Sequence, residues 1–120
     1  MNHTVAITWG QRVHMCNAMP MIGSITEMRT SRIVRYALMD SATEQELAVN
    51  GISKNELGEW TIPAKNEGRP SEITLDDQAV NLFSLHILSM SRNKQIPYEW
   101  EQVFSAILAL SNEAQEVTQM

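Results

Sequence analysis

Val5, Ile7 and Trp9 occupy alternate positions of TVAITW, residues 4–9, and Val13 and Met15 resume the alternation after Gly10-Gln11. A period of two is the mark of a strand with one buried face, so the first stretch predicts a small β-hairpin or an extended arm. Two strands alone are marginal in water, and such a ribbon must lie on helices or on a partner. NAMPMIG, residues 17–23, follows as a loop whose Met19, Met21 and Ile22 are expected to seek cover, and Pro20 rules out a helix through it.

The period then changes to that of a helix. Met28, Ile33, Val34, Ala37 and Leu38 share one face of a segment that starts at Ser24 or Thr30 and runs to about Asp40. Ser24 and Glu27 stand three apart, as the two partners of a capping box do. Thr43 with Glu46, and Ser53 with Glu56, repeat that spacing. Between them lies Gly51, able to take the positive φ that closes a helix, after Asn50, which tolerates the same region. Thr43 to Trp60 therefore predicts two short helices joined by a tight turn at Asn50-Gly51-Ile52-Ser53. Leu47, Ala48, Ile52, Leu57 and Trp60 would hold the pair at an angle, as in a helix-turn-helix.

Pro63 ends or bends the second of these helices, and KNEGRPSE, residues 65–72, reads as a wing or a linker. Thr74 is expected to cap a further helix, with Asp76 and Asp77 at its positive end, apolar nearly all round as far as Ser91. A last helix begins near Pro97. The two are expected to form an antiparallel pair with more apolar surface than it can hide in itself, which makes Phe83, Trp100, Phe104 and Ile107 candidates for an interface. The predicted organisation is a mainly α protein: residues 1–23 a ribbon or arm, 24–72 a helix-turn-helix domain, and 73–120 a helical pair for dimerisation or partner binding.

Composition adds a charge gradient. The net charge of −5 argues against a broad electrostatic grip on phosphate. Residues 1–39, however, carry four arginines (Arg12, Arg29, Arg32, Arg35) against Glu27 alone, while residues 40–72 and 73–120 each net −4. Contact with an acidic partner is therefore expected on the N-terminal third, where Arg29, Arg32 and Arg35 recur at three-residue spacing as a slowly drifting helical stripe. The single cysteine, Cys16, cannot close an intramolecular disulfide, no apolar run approaches the ~18 residues of a membrane span, and residues 1–23 lack the pattern of a signal peptide. A cytoplasmic protein with no membrane partner is expected.

In SRIVRYALMDSATEQELAVNGISKNELGEW, residues 31–60, and in the order of ribbon, basic helix, capped helix, Gly turn and Trp-closed helix, the sequence resembles the DUF1153/SciP family of small alphaproteobacterial transcription regulators. The likeness covers about residues 4–72. It implies a Trp-repressor-like helix-turn-helix that binds promoter DNA and represses transcription, with Arg29, Arg32, Arg35, Ser53, Lys54 and Asn55 near the duplex. Two departures stand out: fewer basic residues before the first motif helix, and the long apolar extension from residue 73. A divergent, phage-encoded relative would fit both.

A reading helix should present Arg, Lys, Asn or Gln at its N-terminal end, and Ser53, Lys54 and Asn55 meet that need before Glu56 and Glu59 oppose it. So few contacts favour a homodimer on double-stranded DNA. The competing expectation is a protein-interaction module, such as a phage-type inhibitor seating the Trp100, Phe104 and Ile107 face on a host regulator, polymerase or nuclease. Catalysis and cofactors are not expected. His3, His14 and His86 are scattered, His86 reads as a core histidine, and His14 with Cys16 lacks the second pair of ligands a zinc site needs.

Overall fold

The computed structural model describes the backbone of residues 1–119 and the side chains of residues 1–111. The chain is mainly helical. Strand β1 (Asn2–Thr8) leads into α1 (Trp9–Asn17), then α2 (Ile25–Arg35), which widens into a π-helical turn at Tyr36–Asp40. Helix α3 (Glu44–Val49), strands β2 (Ser53–Lys54) and β3 (Trp60–Thr61), a 3-10 turn at Ala64–Asn66 and strand β4 (Pro70–Asp76) come next. Helix α4 (Asp77–Arg92), a 3-10 turn at Tyr98–Trp100 and α5 (Glu101–Gln119) complete the order. β1 pairs with β4, and β2 pairs antiparallel with β3, Ser53 opposite Thr61 and Lys54 opposite Trp60.

The chain divides into two compact units: Ala6–Ile73, and Met1–Val5 with Thr74–Met120. The cuts fall between Val5 and Ala6 and between Ile73 and Thr74. Residues 6–23, however, fold with the middle of the chain instead of standing apart as an arm. The reason is a capping box at Thr8 and Gln11, whose reciprocal bonds of 3.1 and 3.0 Å start a helix where a second strand was expected. Trp9, Val13 and Cys16, spaced four and three apart, are all buried on that helix.

In the Ala6–Ile73 unit, α1 packs on the π turn and on β3. Its core holds Ile7, Trp9, Val13, Met15, Val34, Leu38, Met39 and Ile73. The boxes at Ser24 and Glu27 and at Thr43 and Glu46 form as the spacing predicts. Gly51 takes φ +68°, and a Cβ there would meet Pro63 Cγ at 3.0 Å.

The Ser53 and Glu56 box does not form. The expected second motif helix is a β-hairpin, because Asn55 and Gly58 act as turn residues. Asn55 Oδ1 accepts the N–H groups of Leu57 and Glu59 at 2.9 and 3.0 Å, and Gly58 takes φ +80°. The N–H groups of Asn55, Leu57, Gly58 and Glu59 are all taken up inside this turn, so they do not continue a helix from Ser53.

In the other unit, α4 packs on α5. Thr74 lies in β4, and the helix is capped instead by Asp76, whose Oδ1 accepts the Ala79 N–H at 2.7 Å. Phe83 and Phe104 meet edge to face, centroids 5.9 Å apart, and Trp100 adds a second edge contact to Phe104 at 5.8 Å.

Candidate nucleic-acid interface

Helix α2 carries the arginine stripe. Its capping box fixes the first turn, Thr30, Ser31 and Val34 are buried, and Arg29 and Arg32 are exposed with Arg35 half-buried beside them. No carboxylate among the described residues lies within ion-pair distance of any of the three, since the ion pairs found there involve Met1, His3 and His14. Glu27, the acid on the same helix, turns back to accept the Ser24 N–H at 3.2 Å. Arg35 Nη1 contacts Met21 Sδ at 3.1 Å, across an open groove of about 230 Å3 lined by Pro20, Met21, Met28, Arg32, Arg35 and Asp40.

Ser53, Lys54 and Asn55 are all exposed, on the hairpin rather than at the start of a helix. The hairpin is pinned to the end of α1: Asn17 Oδ1 accepts the Trp60 N–H at 3.0 Å and its Nδ2 donates to the Trp60 carbonyl at 2.8 Å. Lys54 Nζ stands 4.8 Å from the Trp60 ring centroid, a cation–π contact that steadies the side chain while leaving its charge outside. Burial raises the Cys16 thiol above its ordinary value; Arg35 and Lys54 oppose the rise and Asp40 adds to it. The hairpin thus meets the C-terminal end of α1 at Asn17, next to the buried Cys16.

Of the residues expected at an interface, Phe83, Phe104 and Ile107 are instead buried between α4 and α5, at 1%, 3% and 0% exposure, and Trp100 is half-buried on Phe104. Buried in this way, Phe83, Phe104 and Ile107 present no face to a partner. Exposed apolar positions on α4 are Leu85 and Leu88.

Arg12, counted with the basic third of the chain, is a core residue. It lies 4.0 Å from the Trp9 ring centroid, its Nε donates to the Leu38 carbonyl at 2.6 Å and its Nη1 to Ser71 Oγ at 2.7 Å. Burial lowers its pKa from the ordinary arginine value, the field of Glu46 partly offsetting this, and the guanidinium stays charged. Its position among Trp9, Val13, Met15 and Cys16 was the sequence signal. His86 is half-buried on α4, and burial lowers its pKa. His14 pairs with Glu67 at 3.1 Å, and among the described residues no three His, Cys, Asp or Glu side chains gather as a metal site requires.

Comparison with protein-family models, with curated proteins and with solved structures finds no match to this chain. No helix among the described residues is long and apolar enough to cross a membrane.

Proposed function

We propose that the chain is a small DNA-binding regulator of transcription that grips duplex DNA through the Ala6–Ile73 unit. The observation that carries this reading is the run of Arg29, Arg32 and Arg35 along α2, none of them matched by a carboxylate among the described residues. Unpaired guanidiniums on an exposed helical face are suited to phosphate, which takes Arg in a bidentate geometry. Helix α3 is a poor reader, since Glu44 and Glu46 occupy its first turn. The DNA-facing set is therefore α2 and the hairpin, with Ser53, Lys54 and Asn55 acting as a wing beside a helix pair. Phosphate contacts of this kind position a protein more than they specify a sequence, so a repressor role calls for a second copy on a second half-site.

The test is fluorescence anisotropy on duplex DNA across a salt series, with light scattering on the same sample. Wild type is expected to bind with log affinity falling linearly in log salt. Replacing Arg29, Arg32 and Lys54 together by Ala is expected to flatten that slope by about 2.7, roughly 0.9 for each phosphate no longer neutralised. Unchanged binding by the triple variant would sink the reading. The interaction-module alternative loses most of its proposed surface, because Phe104 and Ile107 are already buried within the chain.

A further inference from the structure

The loop ahead of α2 carries three large apolar side chains in the open: Met21 at 72%, Ile22 at 91% and Ile25 at 82% exposure. Of Met19, Met21 and Ile22, expected to seek cover, Met19 alone is buried. Scattered apolar residues on a surface are ordinary, but three within five positions are not. The tip is also held firmly. The Ser31 hydroxyl donates to the Pro20 carbonyl at 2.9 Å, and the Ser24–Glu27 box closes the other side, so Met21 and Ile22 project from a fixed base.

What lies next to the tip identifies its occupant. Arg29, Arg32 and Arg35 lead away from it along α2 as a drifting stripe, rising about 9 Å at ~1.5 Å per residue while turning about 120° round the helix. The open groove on Pro20, Met21 and Met28 connects the tip to Arg32 and Arg35. A second apolar protein surface would gain nothing from Arg29 and Arg32, both exposed and with no carboxylate among the described residues within ion-pair distance. A nucleic-acid strand leaving an opened base step supplies both an apolar slot between bases and a line of phosphates.

We propose that Met21, Ile22 and Ile25 form a wedge that enters a base step of duplex DNA from the minor groove and kinks it, while Arg29, Arg32 and Arg35 hold the phosphates that lead away. This rests on the DNA-binding reading and specifies how that binding deforms its substrate. Apolar wedges flanked by arginines unstack a step and bend the duplex, and flexible pyrimidine–purine steps yield most readily.

The experiment is energy transfer between dyes at the two ends of a short duplex with a central TA step. Wild type, Ile22→Ser and the double variant Ile22→Ser/Ile25→Ser are compared, with anisotropy titrations at several salt concentrations alongside. The substituted side chains are exposed, so circular dichroism should be unchanged. Wild type is expected to shorten the end-to-end distance. The variants are expected to lose the bend and about tenfold in affinity while keeping the salt slope, since the phosphate contacts remain. Wild-type binding without bending, or equal bending by the double variant, overturns the wedge and leaves the DNA reading intact. Absence of any DNA binding removes both. Binding to phosphatidylglycerol vesicles, or a dimer, that the Ile22→Ser change abolishes would assign the tip to lipid or to a second copy and overturn it as well.

Discussion

The Asn17 carboxamide pairs with the Trp60 peptide as one strand pairs with another, accepting its N–H at 3.0 Å and donating to its carbonyl at 2.8 Å. One side chain at the end of α1 thus fixes a hairpin more than forty residues away and sets where Lys54 stands. Each bond contributes about 0.5–1.5 kcal/mol net. Asn17→Ala is therefore expected to cost about 1–3 kcal/mol in urea unfolding and to raise hydrogen exchange at the Trp60 amide. It should leave exchange in α4 unaltered, and equal protection of Trp60 in the variant would show that the hairpin is held by something else.

Gly10 sits where a helix start meets the chain returning towards β4. Its N–H donates to the Glu67 carbonyl at 2.9 Å, and a Cβ there would lie 2.7 Å from Glu67 Cβ and 2.8 Å from that same carbonyl oxygen. Alanine is the better helix former by about 1 kcal/mol, but the clash involves backbone that cannot swing aside. Gly10→Ala is expected to destabilise by about 1–3 kcal/mol, as overpacking does. Gly68→Ala, where a Cβ meets nothing within 4 Å, is the control and should stay within about 0.5 kcal/mol.

Phe104 separates the two views of the C-terminal helices. As the buried partner of both Phe83 and Trp100, it should cost about 3–5 kcal/mol when cut to Ala, with loss of helicity at a lower temperature. A side chain facing a partner would instead leave the melting temperature of the isolated chain unmoved. Leu85→Ala, at an exposed position of α4, provides the comparison and should have little effect.

Much of this architecture was written in side chains that act on their nearest neighbours. The boxes at Ser24 and Thr43 and the left-handed Gly51 depend on three or four consecutive residues, and each forms as the spacing predicts. The failures arose where two local signals competed. Ser53 and Glu56 imitate a helix start, but Asn55 and Gly58 close a turn across the same residues, and the turn wins. In the first twenty residues the alternation of Val5, Ile7 and Trp9 runs on into Val13 and Met15 by coincidence, masking the Thr8–Gln11 cap. The arginine stripe was legible because it needs only a helix. The burial of Arg12 and the exposure of Ile22 and Ile25 were not, because they depend on which surfaces distant segments reach.

His86 provides a check on burial by pH. Its environment lowers the imidazole pKa through desolvation alone, so the fold favours the neutral ring. Above the unfolded value near 6.5 both states are neutral and His86 contributes nothing to pH dependence. As pH falls below that value the unfolded chain takes up the proton first, and stability declines until the folded ring also titrates. Asp77 acts in a separate window: hydrogen bonds from His3 and from the terminal amine lower its carboxyl pKa, so its contribution is present at neutral pH and fades only as pH falls through that depressed value. His86→Gln keeps a polar side chain without the titration. Between about pH 7.5 and pH 5.5 the melting temperature of wild type is expected to fall further than that of His86→Gln, the two curves converging at the upper end. Parallel curves across that range would mean that the ring is solvated in the folded protein.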